Sequence, residues 1–311
     1  MKRLLGQYFT IHNPFTNSGF LSWANDCKLK ESIILEPFAG SNNLIAMLKD
    51  INLCYDFKSF DIEPQNKLVV KKDTLNNFPK GFNVCITNPP YLGKSSAKRR
   101  GLFFPNTKYD DIYKFALEKC LDNCNYVAAI IPASFLNANI FRNRLSHYIL
   151  LNSKIFNDTE HPVCLALFKE YSDDVDIYNE NNYLGKLSEF EARLPKSNNN
   201  VDIKFNIPNG ELGLIAIDNT IAPSIKFVEG NEISPNRISV SSRSITRIHI
   251  QKKYKVKELI KELNNNLDIF RKDTYDLFLT PFKGLRKDNK YRRRLDYGLA
   301  KKIINEALYG L

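Results

Sequence analysis

A doubly wound α/β sheet followed by a smaller second domain is the architecture expected of these 311 residues. Short apolar runs near 33–36, 57–61, 68–70 and 82–87 are each cut off by polar or glycine-rich residues and alternate with helix-like segments, as in βαβ units. Asp61 lies about 25 residues beyond Glu36, the spacing at which the second strand of such a unit delivers a carboxylate to a ribose. Past Glu170 the pattern changes: Asn-rich and acidic stretches at 173–182 and 197–200 read as linker or loops, and basic segments follow. The expected division is therefore 1–170 and 171–311.

Taken in order, residues 15–29 read as a helix leading into the strand that ends at Glu36, Pro37, Phe38, Ala39 and Gly40. Asp110–Asn123 places Ile112, Phe115, Ala116 and Leu117 at helical spacing. Tyr126–Ile131 reads as a buried strand stopped by Pro132, and Val163–Phe168 as a further strand close to an antiparallel final one. Between them and the 82–87 strand, Leu92–Tyr109 is a long, polar, basic stretch carrying Lys94, Lys98, Arg99 and Arg100; loops of that length are usually functional or disordered. In the second domain, 213–218 and 237–250 read as strands, with Arg243, Ile245, Arg247 and His249 on one face. Residues 255–272 read as an amphipathic helix and 297–308 as a terminal one.

With 43% hydrophobic residues the chain can bury a sizeable core, and no run of 18 apolar residues predicts a membrane span. Met1–Leu5 is basic then apolar, but Gly6-Gln7-Tyr8 ends the run too early for a signal peptide. The six cysteines are scattered; Cys120 and Cys124 are four apart without a matching pair, so reduced thiols in a cytoplasmic protein and no metal site are expected. The formal charge of +11 is concentrated at the two ends of the chain, with an acidic middle. Arg243, Arg247, Lys252, Lys253, Arg292, Arg293 and Arg294 lie in basic clusters interleaved with tyrosines. Such clusters suit a duplex, which carries a charge every ~1.7 Å.

The most informative stretch is Thr87-Asn88-Pro89-Pro90-Tyr91, directly after the apolar run 82–86. Two prolines restrict the backbone, so an amide oxygen, carbonyl oxygens and an aromatic face are held together before any substrate arrives. Such a site accepts both hydrogens of a planar exocyclic amine and stacks the ring that bears it. Alone, the tetrapeptide is often a plain turn, so the neighbouring motifs decide.

Those motifs, in this order, resemble the γ class of N6-adenine-specific DNA methyltransferases of restriction-modification type, over roughly residues 1–170. Gly6–Thr10 looks like that family's motif X, Glu36–Asn42 motif I, Asp61-Ile62-Glu63 motif II, Asp73 motif III and Asn88–Tyr91 motif IV. The resemblance implies a Rossmann-like methyltransferase sheet, S-adenosyl-L-methionine as cofactor and a C-terminal DNA target-recognition domain. It implies that Phe9 and Thr10 touch the methionine end and that Glu36, with Phe38 and Gly40 in its turn, holds the amino group. Asp61 would take the ribose hydroxyls and Asp73 the adenine amino group, with Ile62 and Thr74 against its ring. Family members usually have a second glycine where this chain has Asn42, a residue that tolerates left-handed backbone.

By the same resemblance, the Asn88 side chain and the Pro89 carbonyl would accept from adenine N6, so that its lone pair points at the methyl group. Orientation and electrostatics supply the rate, with no metal required. The base must leave the stack, with Tyr91 on one face and Phe156 roughly at the second stacking position. Leu92–Tyr109 is then expected as a mobile flap closing over double-stranded DNA. Any cognate restriction endonuclease is expected as a separate chain. Related chemistry on RNA adenine, a protein glutamine or N4 of cytosine uses similar motifs and stays open, as does a non-enzymatic DNA-binding module.

Overall fold

The structure is a computed structural model that describes residues 13–151, 155, 161–196 and 201–310. It divides into two units, Met1–Leu187 and Ser188–Leu311.

In the first unit, helix α1 (Ser18–Asp26) is opened by Asn17, whose side chain accepts from Gly19 N, and it buries Phe20 and Trp23. Trp23 Nε1 donates to Phe168 O at 3.0 Å. There follow β1 (Ile33–Glu36), α2 (Asn43–Asp50), β2 (Asp56–Asp61), β3 (Val69–Lys71), β4 (Val84–Thr87), α3 (Lys94–Arg100) and α4 (Ile112–Asn123). The unit continues through β5 (Tyr126–Pro132), β6 (Leu145–Leu151), β7 (Val163–Phe168), β8 (Asp176–Asn179) and β9 (Asn182–Lys186). All nine strands join one sheet in the order β3-β2-β1-β4-β5-β7-β6-β8-β9. The pairs from β3 to β5 are parallel, and β7 runs antiparallel to both β5 and β6. Strands β4 and β7 are buried at every position, which is why their sequences read as unbroken apolar runs.

Three features depart from the sequence expectation. Helices do not fill every crossover: 62–68 and 72–83 link β2, β3 and β4 without an α-helix. The 92–109 stretch, read as a long loop, contains the helix α3. Its base is closed by the Gly93–Asp111 bridge and its inner side by Leu92, Ala97 and Ile112. The third departure is the β8–β9 hairpin, which lies in the supposed linker and extends the first sheet past residue 170. Its polar, half-exposed residues gave no strand signal of their own; parallel pairing with β6 supplies the order.

The second unit begins within α5 (Leu187–Glu191) and contains β10 (Ile203–Phe205), β11 (Leu212–Ile215), β12 (Lys226–Glu229) and β13 (Ile245–Ile250). Helix α6 (Val256–Asp273), the hairpin β14 (Thr280–Leu285) and β15 (Tyr291–Arg294), and α7 (Tyr297–Gly310) complete it. The four-stranded antiparallel sheet has the order β10-β13-β11-β12. Leu259, Leu263, Leu267 and Phe270, at i, i+4 and i+3 spacing on α6, share a core with Ile303 and Ile304 of α7 and with Leu212, Leu214 and Ile248.

Candidate active site

Strand order sets the site. In a parallel sheet, loops leave from the carboxyl ends, and a crevice opens where successive connections depart in opposite directions. Here that point lies between β1 and β4, because β2 and β3 extend the sheet on one side and β4 and β5 on the other. Glu36 ends β1, Asp61 ends β2, Thr87 ends β4, and Asp73 and Asn88 follow β3 and β4 within two residues. Neighbouring strands lie about 4.8 Å apart, so these side chains line one edge.

The turn after β1 is built on left-handed backbone at Gly40 (φ 50°) and Asn42 (φ 66°). Asn42 thus takes the conformation asked of it, and its Oδ1 accepts from Ser59 Oγ at 2.7 Å. Asp61, buried at the end of β2, accepts from Gly40 N and Glu63 N, both at 2.8 Å. This ties the turn to the second strand while each carboxylate oxygen keeps a further lone pair. Thr74 is buried and donates to Pro37 O at 2.7 Å, whereas Asp73 receives the Asn76 side-chain amide at 2.7 Å. Phe38 is half-buried, and Ile62 is 52% exposed beside Asp61, an apolar face left open at the edge.

Glu36 differs from its neighbours. It is 1% exposed, and its Oε2 has no hydrogen-bond partner among the described residues. Burial, and secondarily the charge of Asp61, holds its carboxyl well above the usual glutamate range. A buried carboxyl without a partner is costly unless a cation arrives. The fully buried Thr87 hydroxyl is likewise unpartnered among the described residues. A ligand with an ammonium group, a sulfonium, ribose hydroxyls and an apolar ring fits this donor set: carboxylates at Glu36, Asp61 and Asp73, and Ile62 for the ring.

Across the switch point, Pro89 is buried, and Asn88 and Tyr91 are half-buried. Tyr91 Oη lies 2.7 Å from Asn88 Oδ1 and 2.6 Å from Ile130 O. A phenol has one proton. Asn88 Oδ1 and Ile130 O both accept from Oη, so that proton is shared between them. The Tyr91 ring meets Tyr113 edge-on, 6.2 Å between centroids. Asp111 caps α4, accepting from Tyr113 N at 3.3 Å and Leu92 N at 3.1 Å, and burial pushes its carboxyl up to about 6. Sequence reasoning assigned Thr87, Asp111 and Tyr113 no individual role. Asp111 did carry a signal, an acid directly before a helical apolar period.

Phe9, Thr10 and Phe156 lie outside the described residues. The other predicted catalytic and cofactor residues are brought to one edge of the first unit, whereas the predicted DNA-binding residues are divided. Lys94, Lys98, Arg99 and Arg100 are exposed on α3, and Arg243, Lys252 and Lys253 are exposed in the second unit. Arg247 is tied to Ile233 O (2.7 Å) and Pro208 O (2.6 Å), and Lys252 Nζ reaches Leu308 O. The Arg292–Arg294 cluster is drawn inward: Arg293 is buried, Arg294 half-buried, and Arg292 Nε donates to Asp218 O at 2.7 Å. The carboxylate of Asp218, fully buried, takes the side chains of Arg271 and Arg286 and the backbone N–H of Arg293.

Residues 25–159, less than half of the chain, match the family described as Eco57I restriction-modification methylase. No curated protein matches the chain. Among solved structures, it is similar to the type I restriction-modification system methyltransferase subunit from Streptococcus thermophilus (15% identity, 58% of this chain, 51% of that one, TM-score 0.38). It is also similar to the type IIG restriction endonuclease BpuSI (16% identity, 57% of this chain, 27% of that one, TM-score 0.41). A third is the DrdV–DNA complex (13% identity, 59% of this chain, 28% of that one, TM-score 0.44). The chain thus spans about half the length of the first and little more than a quarter of the other two. The segment similar to the Eco57I restriction-modification methylase family is the one that carries Glu36, Asp61, Asp73 and Asn88–Tyr91 on the carboxyl edge of the first sheet.

Proposed function

We propose that the chain is a DNA adenine methyltransferase of a restriction-modification system, moving a methyl group from S-adenosyl-L-methionine to N6 of an adenine extruded from duplex DNA. The observation that carries this reading is the pairing, across β1 and β4, of the buried Glu36, whose Oε2 has no hydrogen-bond partner among the described residues, with the Asn88-Pro89-Pro90-Tyr91 turn.

The cofactor supplies an electrophilic methyl on a cationic sulfur. Glu36 binds its ammonium group, Asp61 its ribose and Asp73 its adenine amine, with Ile62 and Thr74 against that ring and Phe38 and Gly40 shaping the turn. Adenine N6 is a poor nucleophile because its lone pair is delocalised into the ring. Asn88 Oδ1 and the Pro89 carbonyl accept its two hydrogens and turn the lone pair out of the ring plane. Bound there, the cofactor would supply its methyl group to N6 and leave as a neutral thioether, with the surplus N6 proton passing to solvent. Tyr91, fixed by Ile130 O and Tyr113, gives the base a face to stack on. Preorganised dipoles and alignment account for the acceleration. The exposed cations of α3, with Arg243, Lys252 and Lys253, hold phosphates. A cognate endonuclease, where one exists, is a separate chain.

The test is transfer of labelled methyl from S-adenosyl-L-methionine to duplex DNA, RNA and protein in parallel. Label in duplex DNA is expected; label confined to RNA or protein contradicts the substrate assignment.

A further inference from the structure

Phe103 is 84% exposed, the most exposed aromatic side chain among the described residues. Its neighbours explain why it points outward. Helix α3 stops at Gly101 (φ 64°), where Leu102 N returns to Ala97 O at 3.0 Å. Leu102 and Phe104 both pack on the small cluster of Leu92, Ala97 and Ile112. With the residue on either side turned in, Phe103 is turned out.

The excursion that presents it springs from the proposed methyl-transfer motif. Leu92 directly follows Tyr91, its carbonyl accepts from Ile112 N at 3.1 Å, and Lys94 N donates to Asp110 O at 2.7 Å. Those bonds and the Gly93–Asp111 bridge close the base of the excursion on residues 110–112, directly after the Asn88-Pro89-Pro90-Tyr91 turn. Four exposed cations (Lys94, Lys98, Arg99 and Arg100) precede Phe103 on α3, while Leu102 and Phe104 beside it pack inward. A protein-docking aromatic is expected within an apolar patch depleted of charge. Apolar side chains beside phosphate-binding cations instead enter base steps and unstack them.

We infer that Phe103 is a wedge that enters the base stack next to the target adenine and lowers the cost of extruding it, while Lys98, Arg99 and Arg100 grip the flanking phosphates. This rests on the proposed methylation of duplex DNA. Phe103 is a positioning residue: it acts on the duplex, and the transfer itself belongs to Asn88.

The experiment compares two duplexes containing the site mapped with the wild-type protein. One pairs the target adenine with thymine; the other places an abasic residue opposite it, so that pairing is already lost. Phe103→Ala is expected to lower single-turnover methylation of the paired duplex roughly tenfold or more and to leave the abasic-opposed duplex near the wild-type rate. Phe103→Trp should restore the paired reaction. Arg99→Ala with Arg100→Ala should reduce the slope of log K against log salt by about 0.9 for each phosphate no longer neutralised, and Phe103→Ala should not. Equal losses on both duplexes, or no loss on either, overturn the wedge while leaving methylation standing. Absence of any transfer to DNA by the wild-type protein overturns the underlying reading and the wedge with it.

Discussion

Two buried carboxylates, one in each unit, have opposite surroundings. Asp218 is fully buried and fully served: Arg271 donates to both its oxygens at 3.0 Å, Arg286 to Oδ2 at 2.9 Å, and Ser224 N to Oδ1 at 2.7 Å. Burial alone would raise its pKa, but the Arg271 hydrogen bonds, the Ser224 amide and both guanidinium charges carry it below the usual aspartate range. Glu36 is almost as buried and has no cation paired with it among the described residues, so its carboxyl is held high. The first acid is a structural knot whose partners are supplied by the chain. The second has the character of a binding group whose partner comes from outside. Burial does not separate the two; satisfaction does.

Removing the served carboxylate should give the largest effect. Asp218→Ala removes the carboxylate that Arg271 and Arg286 share and leaves them to Asp276 and Asp288 alone, and breaking a buried pair of this kind costs about 3–5 kcal/mol. Denaturant unfolding followed by circular dichroism should show that loss. A change within about 0.5 kcal/mol would mean that Asp276 and Asp288 suffice for the two arginines.

Asn88→Ala comes next. It removes one preorganised acceptor for the reacting amine and should lower the transfer rate by roughly 100- to 1,000-fold, with cofactor affinity close to the wild-type value. Unchanged turnover would sink the amine contact.

Glu36→Gln separates the two acids most sharply. It should weaken S-adenosyl-L-methionine binding roughly 10- to 100-fold, about 1.4–2.8 kcal/mol, and yet stabilise the ligand-free protein by removing a carboxyl that resists ionisation. The sign with pH follows from the raised pKa. The folded protein keeps a proton on Glu36 that the unfolded chain has already lost. Stability from this source is therefore complete below the ordinary glutamate range and is lost as pH rises through Glu36's own value. Because the ammonium needs the ionised form, cofactor affinity should rise over that same window, with a proton released on binding. Calorimetry in buffers of different ionisation enthalpy measures that proton, and Glu36→Gln should abolish it.

Thr87→Val is the smallest change. Replacing a buried hydroxyl that has no partner among the described residues by a methyl should be neutral or stabilising by less than about 1 kcal/mol in the ligand-free protein. A clear loss of stability would show that the hydroxyl is already bonded, and the contrast with Asp218 would weaken.

Much of the edge could be read before the structure because its signals are local. The runs at 33–36 and 82–87 are apolar since central strands are covered on both faces, and an Asn followed by two prolines restricts its own backbone. The αL tolerance of Asn42 and the spacing of Leu259, Leu263 and Leu267 are local in the same sense. The β8–β9 hairpin was unreadable because its order comes from β6 rather than from its own residues. The Arg292–Arg294 run misled for a related reason. Arginines on a surface and arginines held against distant backbone look alike in sequence, and here Arg292 Nε donates to the carbonyl of Asp218, far back in the chain. Phe103 could not be told from a core phenylalanine without seeing Leu102 and Phe104 turned inward.

The central claim is chemical, and one measurement meets it directly: digestion of methyl-labelled duplex DNA to single nucleosides after reaction with the wild-type protein and with Asn88→Ala at matched cofactor occupancy. The expected result is label in N6-methyladenine from the wild-type protein and almost none from the variant. Label in N4-methylcytosine, or equal N6-methyladenine from both proteins, would contradict the account.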